Sequence, residues 1–89
     1  MVREKDLERY LVRRVASLGG VCWKWVSPSH AGVPDRIVVL PLGRVAFVEV
    51  KRTGQRPTAL QQRVMGVLSA LGCRVGWVDS QEAVDAFLS

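Results

Sequence analysis

The chain has 89 residues, of which 48% are hydrophobic and 24% charged, proportions that are ordinary for a globular protein. It contains no apolar run near the roughly 20 residues that a transmembrane helix needs, and its polar opening, residues 3–6, is unlike a secretory signal. These features predict a single small domain over residues 1–89, located in the cytoplasm, with no membrane partner.

The net charge is high for so short a chain. Thirteen Lys and Arg residues against eight Asp and Glu residues give a net charge of +5, which favours an anionic partner, nucleic acid first. Cys22 and Cys73 lie far apart in apolar segments, and the chain has one histidine. This pattern predicts two buried free thiols rather than a zinc site.

The first predicted element is an amphipathic helix over residues 3–18, which Gly19 and Gly20 end. Its apolar residues recur at helical spacing and form one stripe: Leu7, Leu11, Val15 and Leu18. The elements that follow are strands at 21–26, 35–40 and 45–51, a helix at 58–71, a strand at 73–78 and a helix at 81–88. The second helix carries its apolar residues on one face: Leu60, Val64, Val67, Leu68 and Leu71.

This order, α-β-β-β-α-β-α, predicts an α/β protein with a small mixed sheet flanked by helices. The first three strands follow one another closely and predict an antiparallel meander. The fourth strand follows a helical crossover, so it can lie parallel to an inner strand of that meander.

Two acidic residues and a lysine stand where the second and third strands begin and end. Side chains alternate along a strand, so Glu49 and Lys51 point to the same face. If the two strands pair as a hairpin, Asp35 and Glu49 converge. Carboxylates beside a lysine suit Mg²⁺ or Mn²⁺ and the phosphate that such a cation activates, with the Val50 carbonyl as a further ligand. The pattern indicates a metal-dependent nuclease in which Lys51 positions water or stabilises charge on the phosphate. Taken singly, Asp35 also fits an ordinary turn and Glu49 an exposed strand residue.

Glu4 and Glu8 fall on or beside the apolar stripe of the first helix. A carboxylate that faces a core is unfavourable unless something compensates it, and a metal near Asp35 would do so. Acidic residues near a helix N-terminus are also favoured by the helix dipole alone. Both explanations stay open.

Gln61 has two possible roles. It could orient the nucleophile or a phosphate, and its spacing from Thr58 also matches a capping box.

Further basic residues near the proposed site are candidates for contacts with the DNA backbone: Arg52, Arg56 and Arg63, with His30 in the loop before Gly32. Arg9, Arg13 and Arg14 lie off the apolar stripe and are expected to form a solvated face. Arg36 is expected to point away from Asp35, to the opposite side of the strand. Trp23 and Trp25 could stack on bases, although core or dimer packing is more usual for tryptophan in a short strand.

With these motifs in place, the chain resembles the VRR-NUC domain, a branch of the PD-(D/E)xK nuclease superfamily. The resemblance is carried by Glu4 and Glu8, residues 32–35 (Gly-Val-Pro-Asp), residues 49–51 (Glu-Val-Lys) and the helix with Gln61. It implies a restriction-endonuclease-like αβββαβ core, metal binding by Asp35 and Glu49, a catalytic Lys51, and Glu8 or Glu4 as the acid of the first helix. Stand-alone phage members resemble Holliday-junction resolvases, so the resemblance also implies a homodimer that cuts four-way DNA junctions.

Two alternatives remain at this stage. One is an endonuclease that nicks flaps or plain duplex, and the other is a non-catalytic DNA-binding module with the same fold. A small structural or adaptor protein that uses its apolar faces for a partner is a weaker third. It would show no salt-dependent affinity for DNA, whereas phosphate-driven binding weakens steeply with salt.

Overall fold

The computed structural model describes residues 2–89 and places its helices and strands in the predicted order. They are α1 (Glu4–Ser17), β1 (Val21–Lys24), β2 (Arg36–Leu40), β3 (Arg44–Val50), α2 (Ala59–Ala70), β4 (Arg74–Val78) and α3 (Gln81–Leu88). A 3₁₀ turn at Pro41–Gly43 joins β2 to β3. The predicted mixed α/β class is confirmed, and the predicted ends lie within two residues of the observed ones. Among the helices described, none is both long and apolar enough to cross a membrane.

The four strands form one sheet in the order β1-β2-β3-β4. The first three pair antiparallel, as predicted, and β4 pairs parallel with β3. The prediction placed β4 beside an inner strand of the meander, whereas it joins β3, the last strand. The reason is that β2 already pairs on both edges, so the crossover reaches the open edge of β3 and makes that strand internal.

The main core lies between the sheet and the helices α1 and α3. The stripe of α1 is buried as predicted at Leu7, Leu11 and Val15, whereas Leu18 lies past the end of the helix and is 40% exposed. The strand and α3 residues that complete this core are Cys22, Val38, Leu40, Ala46, Val48, Val50, Val78, Val84 and Leu88. Cys22 is buried as predicted, but Cys73 is only partly buried.

The helix α2 lies on the opposite face of the sheet and packs beside β4. It buries Val64 and Met65, whereas Leu60, Val67 and Leu71 of the predicted apolar face are 44%, 55% and 77% exposed. The prediction that this face is a core face is therefore only partly right. A helix of 12 residues beside β4 does not reach across β1 and β2.

The loop between β1 and β2 docks on α2 at Gly32. Gly32 has φ +89°, and a Cβ atom there would lie 2.9 Å from Cγ of Leu60 and 3.1 Å from Cγ2 of Val64. Both the positive φ and the close approach require glycine. The loop then enters β2 through the buried Pro34 and the partly buried Asp35, so this contact helps to fix the start of β2.

We expect Gly32→Ala to destabilise the protein more than Gly43→Ala does. Gly43 also has a positive φ, +71°, but no atom of residues 2–89 outside its chain neighbours lies within 4 Å of an added Cβ. Both variants should lose about 1–2 kcal/mol of unfolding free energy from the backbone conformation, and Gly32→Ala about 1–3 kcal/mol more from overpacking. Urea denaturation measures both. Equal losses would show that the contact with α2 does not constrain the loop.

Candidate active site

Asp35 stands immediately before β2 and is held by two backbone groups. The Trp25 N–H donates to the Asp35 carbonyl at 2.8 Å, and the Val50 N–H donates to Asp35 Oδ2 at 3.2 Å. The second bond joins the start of β2 to the end of β3, as the hairpin prediction required. It fixes the carboxylate at the edge of the sheet, where it is only partly buried.

Glu49 lies one residue from that edge and is 5% exposed. Its neighbours Val48 and Val50 point into the core under α1, so alternation along β3 turns Glu49 towards α2. There Glu49 Oε2 accepts a hydrogen bond from Gln61 Nε2 at 3.1 Å and lies 3.5 Å from Lys51 Nζ. The interpretation of Glu49 as an exposed strand residue is therefore wrong, although its pairing with Lys51 is observed.

Gln61 forms the predicted capping box and also faces the proposed site, whereas its other predicted role, orienting the nucleophile or a phosphate, stays a prediction. Its backbone N–H donates to Thr58 Oγ1 at 3.2 Å, and its side-chain Oε1 accepts from the Thr58 N–H at 2.9 Å, which completes the capping box. The same amide uses its Nε2 to donate to Glu49. The cap therefore also sets the orientation in which the amide faces the carboxylate.

The surroundings of Glu49 disfavour its charged form. Burial is the largest cause, followed by a hydrogen bond and charge repulsion from the Asp35 carboxylate, and together they raise the pKa of Glu49 to about 8. The Lys51 ammonium opposes this shift. Two close carboxylates that one lysine does not neutralise are the usual electrostatic condition of a cation site.

Two glutamates of α1 reach Asp35 from the other side. One carboxylate oxygen from each of Glu4, Glu8 and Asp35 lies within 4.8 Å of the other two. Both α1 acids therefore converge on Asp35, and the geometry does not select one of them. The ion pairs of residues 2–89 join Arg3 to Asp6, Arg14 to Asp85 and Lys51 to Glu49, so none of them neutralises these three carboxylates.

Asp35 thus touches Glu49 on one side and the two α1 glutamates on the other. All the converging donors are carboxylate oxygens, the type that Mg²⁺ and Mn²⁺ prefer over nitrogen or sulfur. The residues present fit a hard divalent cation.

The basic residues that the sequence singled out fall into two places. Arg52 and Arg56 are exposed in the loop that follows Lys51. His30 and Arg63 line a hollow of about 450 Å³ between the β1–β2 loop and α2, together with apolar side chains such as Trp25 and Leu60.

A second group of cations was not assigned to the site from the sequence. Arg36 points to the α1 side of the sheet, where it lines a cleft of about 400 Å³. The polar residues of this cleft, which we call the α1 cleft, are Lys5, Glu8, Arg9, Arg13, Lys24 and Arg36. Arg9 and Arg13 are exposed, as expected for a solvated face of α1, and they also line this cleft. Arg14 instead pairs with Asp85 at 3.0 Å. The sequence signal that could have indicated this basic cleft is a cation at every fourth residue of α1: Lys5, Arg9 and Arg13.

Two of three comparisons with known proteins found proteins similar to this chain. No family model matches the chain. The chain is 46% identical to a protein of Acyrthosiphon pisum secondary endosymbiont phage 1 named "Putative nuclease p44". The aligned region of 82 residues covers 92% of this chain and 88% of the phage protein. A solved structure described as "VRR_NUC domain" superposes with a TM-score of 0.91 at 31% identity and covers 99% of this chain and 96% of the other.

We expect Glu49→Gln to stabilise the metal-free protein at high pH. Because the pKa of Glu49 in the folded chain is about 8, above its usual value of 4.5, wild-type stability is fully present below pH 4.5 and is lost as the pH rises through 8. Glutamine has no proton to lose, so the variant should melt several degrees above wild type at pH 9 and close to it at pH 5. Thermal unfolding in chelator measures this. Glu82→Gln makes the same change on the exposed surface of α3 and is the control, and an advantage of equal size at both pH values would contradict the charge argument.

Proposed function

The chain belongs to the VRR-NUC family of nucleases, as its motifs predicted, and we propose that it is a divalent-metal-dependent DNA endonuclease. The observation that carries this proposal is the position of Asp35, which lies between the glutamates of α1 and the Glu49–Lys51 pair. The proposed ligands of Mg²⁺ or Mn²⁺ are Asp35, Glu49, Glu8 and the carbonyl of Val50, with Glu4 as a further acid.

The charge balance of the site supports a cation. Three convergent carboxylates that have no ion-pair partner within residues 2–89 lie next to a glutamate that burial drives towards its neutral form, and a divalent ion would stabilise this arrangement. The backbone of Val50 adds support, because its N–H points towards Asp35 and the N–H and C=O of one strand residue point to the same side. A bound Mg²⁺ or Mn²⁺ would neutralise charge on a phosphate and acidify its water.

Lys51 is the proposed catalytic cation. Its side chain is only 14% exposed, and its Nζ lies 3.5 Å from Glu49 Oε2. From there it can donate to a phosphate oxygen that gains charge as water attacks. In this hydrolysis the water oxygen bonds to phosphorus, one P–O ester bond breaks, and the leaving oxygen gains a proton. Gln61 is a positioning residue, because it acts through the carboxylate of Glu49.

Contacts with the DNA backbone are assigned to the basic residues beside the site. Arg52 and Arg56 follow Lys51 directly in an exposed loop, so they can reach phosphates next to the one that is cut. Arg63 and His30 are farther along the same side, at the hollow against α2.

We assign the dimer to the face of the sheet that α2 leaves uncovered. Its cross-strand pairs bring six apolar residues together, and we call them the open sheet face: Val21, Trp23, Ile37, Val39, Val45 and Phe47. Trp23 is 63% exposed and Val45 46%. This face carries no charge, so it suits a second copy of the chain rather than a polyanion, despite the net charge of +5.

A two-fold dimer would present two acidic sites to one substrate. Symmetric sites suit a four-way junction, in which two strands are nicked in a related way. The proposed substrate is therefore branched DNA, with the Holliday junction favoured.

The experiment that tests this function incubates the protein with a labelled four-way junction, a flap and plain duplex. We expect paired nicks in the junction with Mg²⁺ or Mn²⁺, none in chelator, and a loss of at least about a hundredfold in Asp35→Asn. Light scattering should give twice the chain mass of 9.9 kDa.

The control is Asp6→Asn, which makes the same chemical change on α1 outside the acidic cluster and should cut normally. Preferred cutting of the flap or the duplex would retain the site and reject the resolvase. Binding without any cutting would leave a DNA-binding module and reject the catalytic proposal.

The two functions of Gln61 can be separated. Gln61→Glu preserves the capping box but cannot donate to Glu49, so we expect cleavage to fall about tenfold or more. Thr58→Ala removes the cap acceptor but leaves the Gln61 amide and its bond to the Thr58 backbone, so it should lose about 1 kcal/mol of stability and retain its cleavage rate. Urea denaturation and single-turnover cleavage measure the pair. Equal losses of activity in both variants would show that Gln61 acts only through the helix.

A further inference from the structure

We propose that the α1 cleft is a phosphate site for the substrate strand, and that Arg36 is the residue that positions this strand beside the acidic cluster. The inference rests on the proposed function and adds to it a binding surface separate from Arg52, Arg56, Arg63 and His30.

The composition of the cleft points to an anion. Five of its polar residues are cations, and its single carboxylate, Glu8, also belongs to the acidic cluster. None of the ion pairs found within residues 2–89 involves a cation of the cleft. Five cations that one carboxylate does not balance repel one another, and a bound polyanion reduces that repulsion.

Arg36 gives the strongest evidence. Its Nε is buried and has no hydrogen-bond partner among the described residues. A buried donor without a partner is unfavourable, and a charged one more so. The backbone of Arg36 pairs with Lys24 of β1 on one side and with Val48 of β3 on the other, so the sheet fixes the position of the Arg36 Cα atom. A guanidinium can donate two parallel hydrogen bonds to one phosphate, which lysine cannot do.

The position of the cleft connects it to the chemistry. Glu8 lines the cleft and also contributes an oxygen to the cluster with Asp35, and Arg36 follows Asp35 in the chain. A strand that places one phosphate at Asp35 can therefore lay a neighbouring phosphate in the cleft. An isolated phosphate ion would satisfy the same charges, so the test must separate a polymeric ligand from a free anion.

The test measures the affinity of wild type and three cleft variants for a labelled junction in chelator, over a range of salt concentrations. Arg13→Gln and Lys24→Gln change exposed residues and should fold, and Arg36→Met preserves most of the buried volume. We expect each variant to bind more weakly and to reduce the slope of log K against log salt by about one. In Mg²⁺, KM should rise in all three, with kcat nearly unchanged in Arg13→Gln and Lys24→Gln.

The matched control is Arg44→Gln. Arg44 is exposed at the start of β3, about 20 Å along the strand from Val50, so this variant loses the same charge outside the cleft. It should retain the wild-type slope and KM. Competition by inorganic phosphate at millimolar concentration that equals competition by unlabelled DNA would assign the cleft to a free anion.

The outcomes separate this inference from the proposed function. If no substrate is cut but the slopes fall as expected, the cleft stands and the catalytic proposal fails. If cutting occurs and the exposed cleft variants match Arg44→Gln in slope and KM, the cleft proposal is overturned and the nuclease stands.

Discussion

The hydrogen bond from the Val50 N–H to Asp35 Oδ2, 3.2 Å long, is the constraint on which the site depends. It ties the first carboxylate to the end of the strand that carries Glu49 and Lys51. Asp35 lies just outside the β2 ladder, where the Trp25 N–H holds its backbone carbonyl and the Val50 N–H holds its side chain. With this bond, one rigid hairpin sets the separation of both acids and the lysine. The glutamates of α1 then need only approach a carboxylate that is already fixed.

This arrangement opposes stability locally. Burial and the neighbouring Asp35 carboxylate raise the pKa of Glu49 to about 8, so charging Glu49 at high pH acts against folding. The core between α1, α3 and the sheet offsets that term with side chains that are almost fully buried, such as Leu7, Val48 and Val84. Conflict between charges at one edge of an otherwise consistent fold is typical of a functional site.

The sequence predicted the element order and the meeting of Asp35 with Glu49, because both follow from local patterns. Alternation along β3 and the short 3₁₀ turn leave few other arrangements for a hairpin. The fourth strand was placed less well, since which edge of the meander is open depends on long-range pairing. The exposure of Val67 and Leu71 was missed for a similar reason. An apolar helix face predicts burial, but only the assembled sheet shows that α2 lies beside β4 alone.

The helix α1 explains why the acidic and basic surfaces adjoin. At about 100° per residue, Leu7, Leu11 and Val15 define one direction. Glu4 lies on that stripe in the first turn of the helix, and Glu8 lies at its border. The cations of the cleft follow on the next face round: Lys5, Arg9 and Arg13. Since the buried stripe locks the rotation of the helix, the direction of the acids and that of the cations are set together. A rotation that moved Glu8 away from Asp35 would also expose Leu11 and turn Arg9 out of the cleft. The same packing that forms the core therefore fixes the place where the acidic cluster and the α1 cleft adjoin.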